Sequence, residues 1–63
     1  MKASDVLKLK VGDVVVLTED GKQVHGQVIA ADGPKRAMQW EDGKPGDLYP
    51  DPTDLLLGLI SVV

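Results

Sequence analysis

The run Asp13-Val14-Val15-Val16-Leu17-Thr18 is dominated by β-branched and aliphatic residues, and it leads from Gly12 straight into Glu19-Asp20-Gly21. Such a run suits the pleated, half-buried surface of a sheet. An acidic residue followed by glycine supplies the positive φ angles of a tight hairpin. The same punctuation returns at Asp32-Gly33-Pro34 and at Asp42-Gly43. Short extended segments separated by turn signals at this spacing are the pattern of a small barrel. The predicted fold class is therefore all-β: a five-stranded small barrel, closed or nearly closed, with a single 3₁₀ turn before the last strand. Residues 1–63 are read as one domain.

A chain of 63 residues buries only about 60% of its unfolded surface. Its stability is expected near the low end, or aided by self-association. Without cysteine it has neither a disulfide staple nor a thiolate metal site. Met1-Lys2-Ala3-Ser4-Asp5 leads into alternating residues rather than an apolar signal segment, and the apolar stretches 14–17 and 55–63 are too short or too interrupted to span a bilayer. The expectation is a cytoplasmic protein with no membrane contact. Ten acidic against seven basic residues give a net charge of −3. That balance disfavours duplex nucleic acid, because contact with phosphates needs a positive surface.

Along the chain, Leu7, Leu9 and Val11 alternate with polar residues and predict an extended lead-in across one end of the barrel, one side of it buried. Ser4 as the N-cap of a short helical turn is the alternative. In the strand 13–18, Val14 and Val16 point one way and Val15 and Leu17 the other. Both faces are apolar, so the second needs a cover from the chain's own ends or a second subunit. In 22–31, Val24, Gly26 and Val28 share one side, His25, Gln27 and Ile29 the other; Gly26 predicts a bulge or sharp bend. In 36–41, Arg36, Met38 and Trp40 stand opposite Ala37, Gln39 and Glu41. A short fourth strand, 47–49, is ended by Pro50 and Pro52. One 3₁₀ turn is expected over 52–56 with Thr53 or Asp54 near its start, then a last strand over 58–63.

Three stretches, Val11-Gly12-Asp13-Val14-Val15, His25-Gly26-Gln27-Val28-Ile29 and Gln39-Trp40-Glu41-Asp42-Gly43, resemble the SH3-like small barrels, including Tudor-like and KOW-like modules. The resemblance spans most of the chain. It implies a fold rather than a function, since such barrels host unrelated activities; its KOW-like side implies a nucleic-acid-binding module. Gly46-Asp47-Leu48-Tyr49-Pro50 is similar to the Val-Gln-Ile-Tyr-Pro pore motif of plasmid-encoded type II dihydrofolate reductases, short SH3-like chains that assemble as tetramers around a pore. That likeness implies an NADPH-dependent homotetramer. Tyr49 and Pro50 agree with the motif and Leu48 is a conservative exchange. Asp47 stands where the family's glutamine contacts the pteridine and nicotinamide rings, and Val16 and Leu17 occupy the region of its first-strand lysine.

His25 is the sole histidine. It has no triad partners in sequence logic, and one imidazole with scattered carboxylates does not make a zinc site. Most acidic residues occupy turn positions, where aspartate accepts local backbone hydrogen bonds. Asp42 and Asp47 flank one loop without a calcium-loop pattern. No catalytic residue, metal or cofactor is expected. Trp40 and Tyr49 are the only aromatic residues, and with Asp42 and Asp47 they would make a partial cage for a cation. The competing reading packs Trp40 against the last strand, its indole N–H satisfied at the rim. The candidate binding set is Trp40, Tyr49, Met38, Asp42, Asp47 and His25. The tail 55–63 carries more apolar side chains than a small barrel covers from one side, and an edge strand invites pairing. Leu55, Leu57, Leu59 and Ile60 form a candidate interface; the alternative closes the barrel with Leu57 and Leu59 in the core.

These residues point to a non-enzymatic interaction module that binds a protein partner or itself as a homo-oligomer. Small size and acidity suggest an accessory protein of a mobile element or phage that covers a basic host surface. A reductase-like tetramer and a KOW-like nucleic-acid binder are the alternatives.

Overall fold

The computed structural model describes residues 1–63. One hairpin sets the register of its sheet. Asp20 and Gly21 have φ angles of 51° and 75°, the two left-handed positions of a type I′ turn. They join β1 (Val14–Glu19) to β2 (Lys22–Asp32), which pair antiparallel from Glu19↔Lys22 to Val14↔Gln27. Gly33, with φ 56°, and Pro34 turn the chain into β3 (Lys35–Trp40). Strand β4 (Asp47–Leu48) pairs with β3, and β5 (Ile60–Val62) pairs with β1. The order β4-β3-β2-β1-β5 is antiparallel throughout and curls into a half-barrel whose two edge strands do not pair with each other. A 3₁₀ turn, Leu55–Leu59, precedes the last strand. The Asp54 carboxylate begins it by accepting the Leu56 N–H at 2.9 Å.

Period-two alternation selects the core. Val15, Val28, Met38, Trp40, Leu48 and Ile60 are buried on the concave side, and Val6, Leu9 and Leu57 close over them. No helix of the chain is long and apolar enough to cross a membrane.

Four local expectations are corrected. The lead-in is not an extended strand: Ala3–Val6 is a single α-helical turn, with the Lys2 N–H donating to the Asp5 carboxylate at 3.1 Å. Leu7 and Val11 are exposed, whereas Val6 and Leu9 are buried. A three-residue spacing puts Val6 and Leu9 on one side of a turn, and the Leu9 N–H to Val6 carbonyl bond at 3.2 Å holds it. Gly26 is not at a bulge. It pairs in register with Val15 and Trp40, and the irregularity lies at Ile29, between Val28 and Ala30. Glycine is required at 26 because a Cβ would lie 2.6 Å from Trp40 Cζ3 and 2.9 Å from Cδ2. The fourth strand stops at Leu48, before Tyr49. The 3₁₀ turn begins at Leu55 rather than 52 and absorbs Gly58 and Leu59, so the last strand starts at Ile60.

Arg36 sits in the core layer, 8% exposed. Its Nε donates to the Leu9 carbonyl at 2.8 Å and its Nη2 to the Leu7 carbonyl at 3.0 Å. Its Nη1 donates to the Gly33 carbonyl at 2.6 Å and to the Lys35 carbonyl at 3.2 Å. No carboxylate pairs with it. The guanidinium is balanced by carbonyl dipoles, and its planar fork ties the helical lead-in to β3.

Candidate functional site

The chain's main groove, about 560 Å³, opens between the β1–β2 hairpin and the loop from β3 to β4. Strand alternation supplies its floor: Leu17 and Val24 are cross-strand partners on the concave side, and Trp40 and Leu56 flank them. The Trp40 side chain is fixed by the close backbone of Gly26 on one side and by its Nε1–H, which donates to the Gly46 carbonyl at 3.1 Å. That bond also holds the 42–47 loop against the sheet. The rim carries four carboxylates, Glu19, Asp20, Asp42 and Asp47, against two ammonium groups, Lys22 and Lys44. The local balance is −2 out of the chain's −3. Only Asp47 has a cation close by, Lys35 Nζ at 3.9 Å. Asp42 is oriented by accepting the Lys44 N–H at 3.1 Å.

Of the residues singled out from sequence, Trp40, Asp42 and Asp47 meet at this groove. Tyr49 is half exposed and lines no part of it; it lies beyond the end of β4 and leads into Pro50. Trp40 thus lines the groove without Tyr49. Met38 is buried beneath the sheet. In the tail, Leu57 and Ile60 belong to the core, while Leu55 and Leu59 are exposed at 89% and 44%.

His25 lies on the outer face. Its backbone N–H donates to Glu41 Oε1 at 2.9 Å, and its Nδ1 lies 3.4 Å from the same oxygen. The backbone N–H chiefly, and the imidazole after it, hold the Glu41 carboxyl below its ordinary value. Ser61, Val16 and His25 form one cross-strand row on that face. With strands about 4.8 Å apart, the Ser61 hydroxyl and the imidazole are separated by roughly 10 Å, too far for a nucleophile and its base. No group of three or more His, Asp or Glu side chains is placed to hold a metal ion.

Glu19, Asp20, Lys22 and Lys44 at the rim lie outside the candidate set drawn from sequence, which places most acidic residues in turns. The usable signal was the parity of β1 and β2, which sends Glu19 and Lys22 to the same side as Leu17 and Val24. Arg36 was also readable by parity, since it shares a face with Met38 and Trp40.

No protein-family model, curated protein or solved structure matches this chain.

Proposed function

We propose that this half-barrel is an SH3-like interaction module, without catalytic activity, that docks a basic segment of a protein partner in the Trp40 groove. The observation that carries the reading is the pairing of an apolar floor with a rim holding most of the chain's net negative charge. Apolar side chains of an extended segment would cover Leu17, Val24 and Leu56, while its lysines or arginines meet Glu19, Asp20 and Asp42, none of which forms an ion pair within the chain. Such charge complementarity sets specificity and association rate more than raw affinity. The groove volume falls within the range of small binding sites. The SH3-like assignment is supported by five antiparallel strands with one 3₁₀ turn before the last.

The test titrates two tryptophan-free peptides of equal length, alternating Leu-Lys and alternating Leu-Glu, and follows Trp40 fluorescence and backbone amide shifts. Saturable binding of the Leu-Lys peptide alone is expected, with shifts confined to 17–24 and 40–47, and weakening as salt rises. The E19Q/D20N/D42N variant keeps its hydrogen-bond acceptors and is expected to bind at least tenfold more weakly. Equal binding of both peptides, or shifts elsewhere, refutes the reading.

A further inference from the structure

The open edge of β5 carries one residue with no backbone partner. On its inner edge the strand bonds to β1: Val16 faces Ser61, and the Val63 N–H donates to the Val14 carbonyl at 3.0 Å. Antiparallel alternation then turns the N–H and C=O of Ile60 and Val62 outward. At Ile60 both are occupied. Its N–H donates to the Leu57 carbonyl, and its carbonyl accepts the Met1 amino group at 2.9 Å. Val62 alone keeps a free donor and a free acceptor side by side, and the residue is 57% exposed.

The side chains of this edge are uncharged, and the Met1 ammonium sits at its Ile60 end. Residues 55–63 contain no ionisable side chain, although the chain as a whole carries −3. Val63, next to Val62 in the chain, is exposed, as are Leu55 and Leu59 in the preceding 3₁₀ turn. The other sheet edge differs: β4 has two residues, bears the Lys35–Asp47 pair on its flank, and runs into Pro50 and Pro52. Proline and charged side chains are the devices that protect an edge, and β5 has neither.

We propose that β5 pairs antiparallel with β5 of a second copy about a two-fold axis, with Val62 opposite Val62, joining two half-barrels into one continuous sheet. A two-fold contact needs a self-complementary patch. A free donor beside a free acceptor on one residue is self-complementary, giving two reciprocal hydrogen bonds. A second copy is favoured over a charged partner because residues 55–63 offer no ionisable side chain to pair with a charge. The aliphatic side chains around Val62 then cover one another.

The experiment measures mass by sedimentation or light scattering from micromolar to near-millimolar concentration, with amide exchange at both ends of the range. Expected is a rise from 6.7 kDa toward twice that mass. The Val62 amide should exchange fast when dilute and slowly when concentrated, while the Ser61 and Val63 amides stay protected throughout. Val62→Pro removes only the outward N–H and leaves every bond to β1, so it should keep the wild-type circular dichroism and associate at least tenfold more weakly. A chain that stays monomeric overturns the proposal, whether its edge meets solvent or a strand of some other protein. So does a dimer in which the Val62 amide remains unprotected, a readout that holds even where the proline variant fails to fold. Because this surface is separate from the Trp40 groove, peptide binding and self-pairing succeed or fail independently.

Discussion

Replacing Arg36 by alanine should cost more than any other single polar substitution in this chain. Four carbonyls on three segments, Leu7 and Leu9 in the lead-in, Gly33 in a turn and Lys35 in β3, converge on one guanidinium. A hydrogen bond from a charged donor contributes about 1.5–3 kcal/mol when its acceptor is otherwise left unsatisfied. The bond to Leu9 O is buried and counts fully; the other three are partly exposed, and water takes over much of their role in the variant. The expected loss is about 2–4 kcal/mol, against a total of roughly 3–9 kcal/mol for a domain of this length. With a urea slope of about 1 kcal/mol/M, the unfolding midpoint read by Trp40 fluorescence should fall by roughly 2–4 M. Arg36→Lys keeps the charge but concentrates its donors at one point, so it should recover less than half of the loss. Because the partners are dipoles rather than carboxylates, the difference should be the same in dilute and in molar salt. An alanine variant within about 0.5 kcal/mol of wild type, or full rescue by lysine, would refute the clamp.

Gly26→Ala drives a Cβ into a Trp40 ring that the Gly46 carbonyl holds in place, and should cost about 1–3 kcal/mol; an unchanged thermal midpoint would show that the ring moves freely. Leu57→Ala should cost about 2–4 kcal/mol and Leu55→Ala, at a position 89% exposed, less than about 0.5 kcal/mol in the monomer; equal losses in denaturant titrations would contradict the placement of the 3₁₀ turn. Asp5, Glu41 and Asp51 all have their carboxyls held below the ordinary value, in each case chiefly by a backbone N–H, from Lys2, His25 and Thr53 respectively. A depressed folded-state pKa contributes stability that is complete above the ordinary carboxylate range and lost as pH falls through and below it. The Tm should therefore hold between neutral pH and about pH 5 and decline toward about pH 3, less steeply in Glu41→Gln; a Tm indifferent to acid argues against all three contacts.

The hairpin at Asp20-Gly21 and the shared-face sets Val24/Gly26/Val28 and Arg36/Met38/Trp40 were legible in the chain, though not which face turns inward, because turn chemistry and a two-residue period are properties of the local backbone. The helical lead-in was misread because Leu7, Leu9 and Val11 mimic a strand; tertiary burial chose Val6 and Leu9 instead. The same limit hid the role of Arg36, whose acceptors Leu9 and Leu7 lie 27 and 29 residues away in sequence, and the groove, where 17–24 meet 40–47 only after the sheet curls. Residue order alone dictated which side chains share a face. Packing decided which loop folds over that face and which charges gather there, since no local rule of the backbone specifies contacts between segments so far apart.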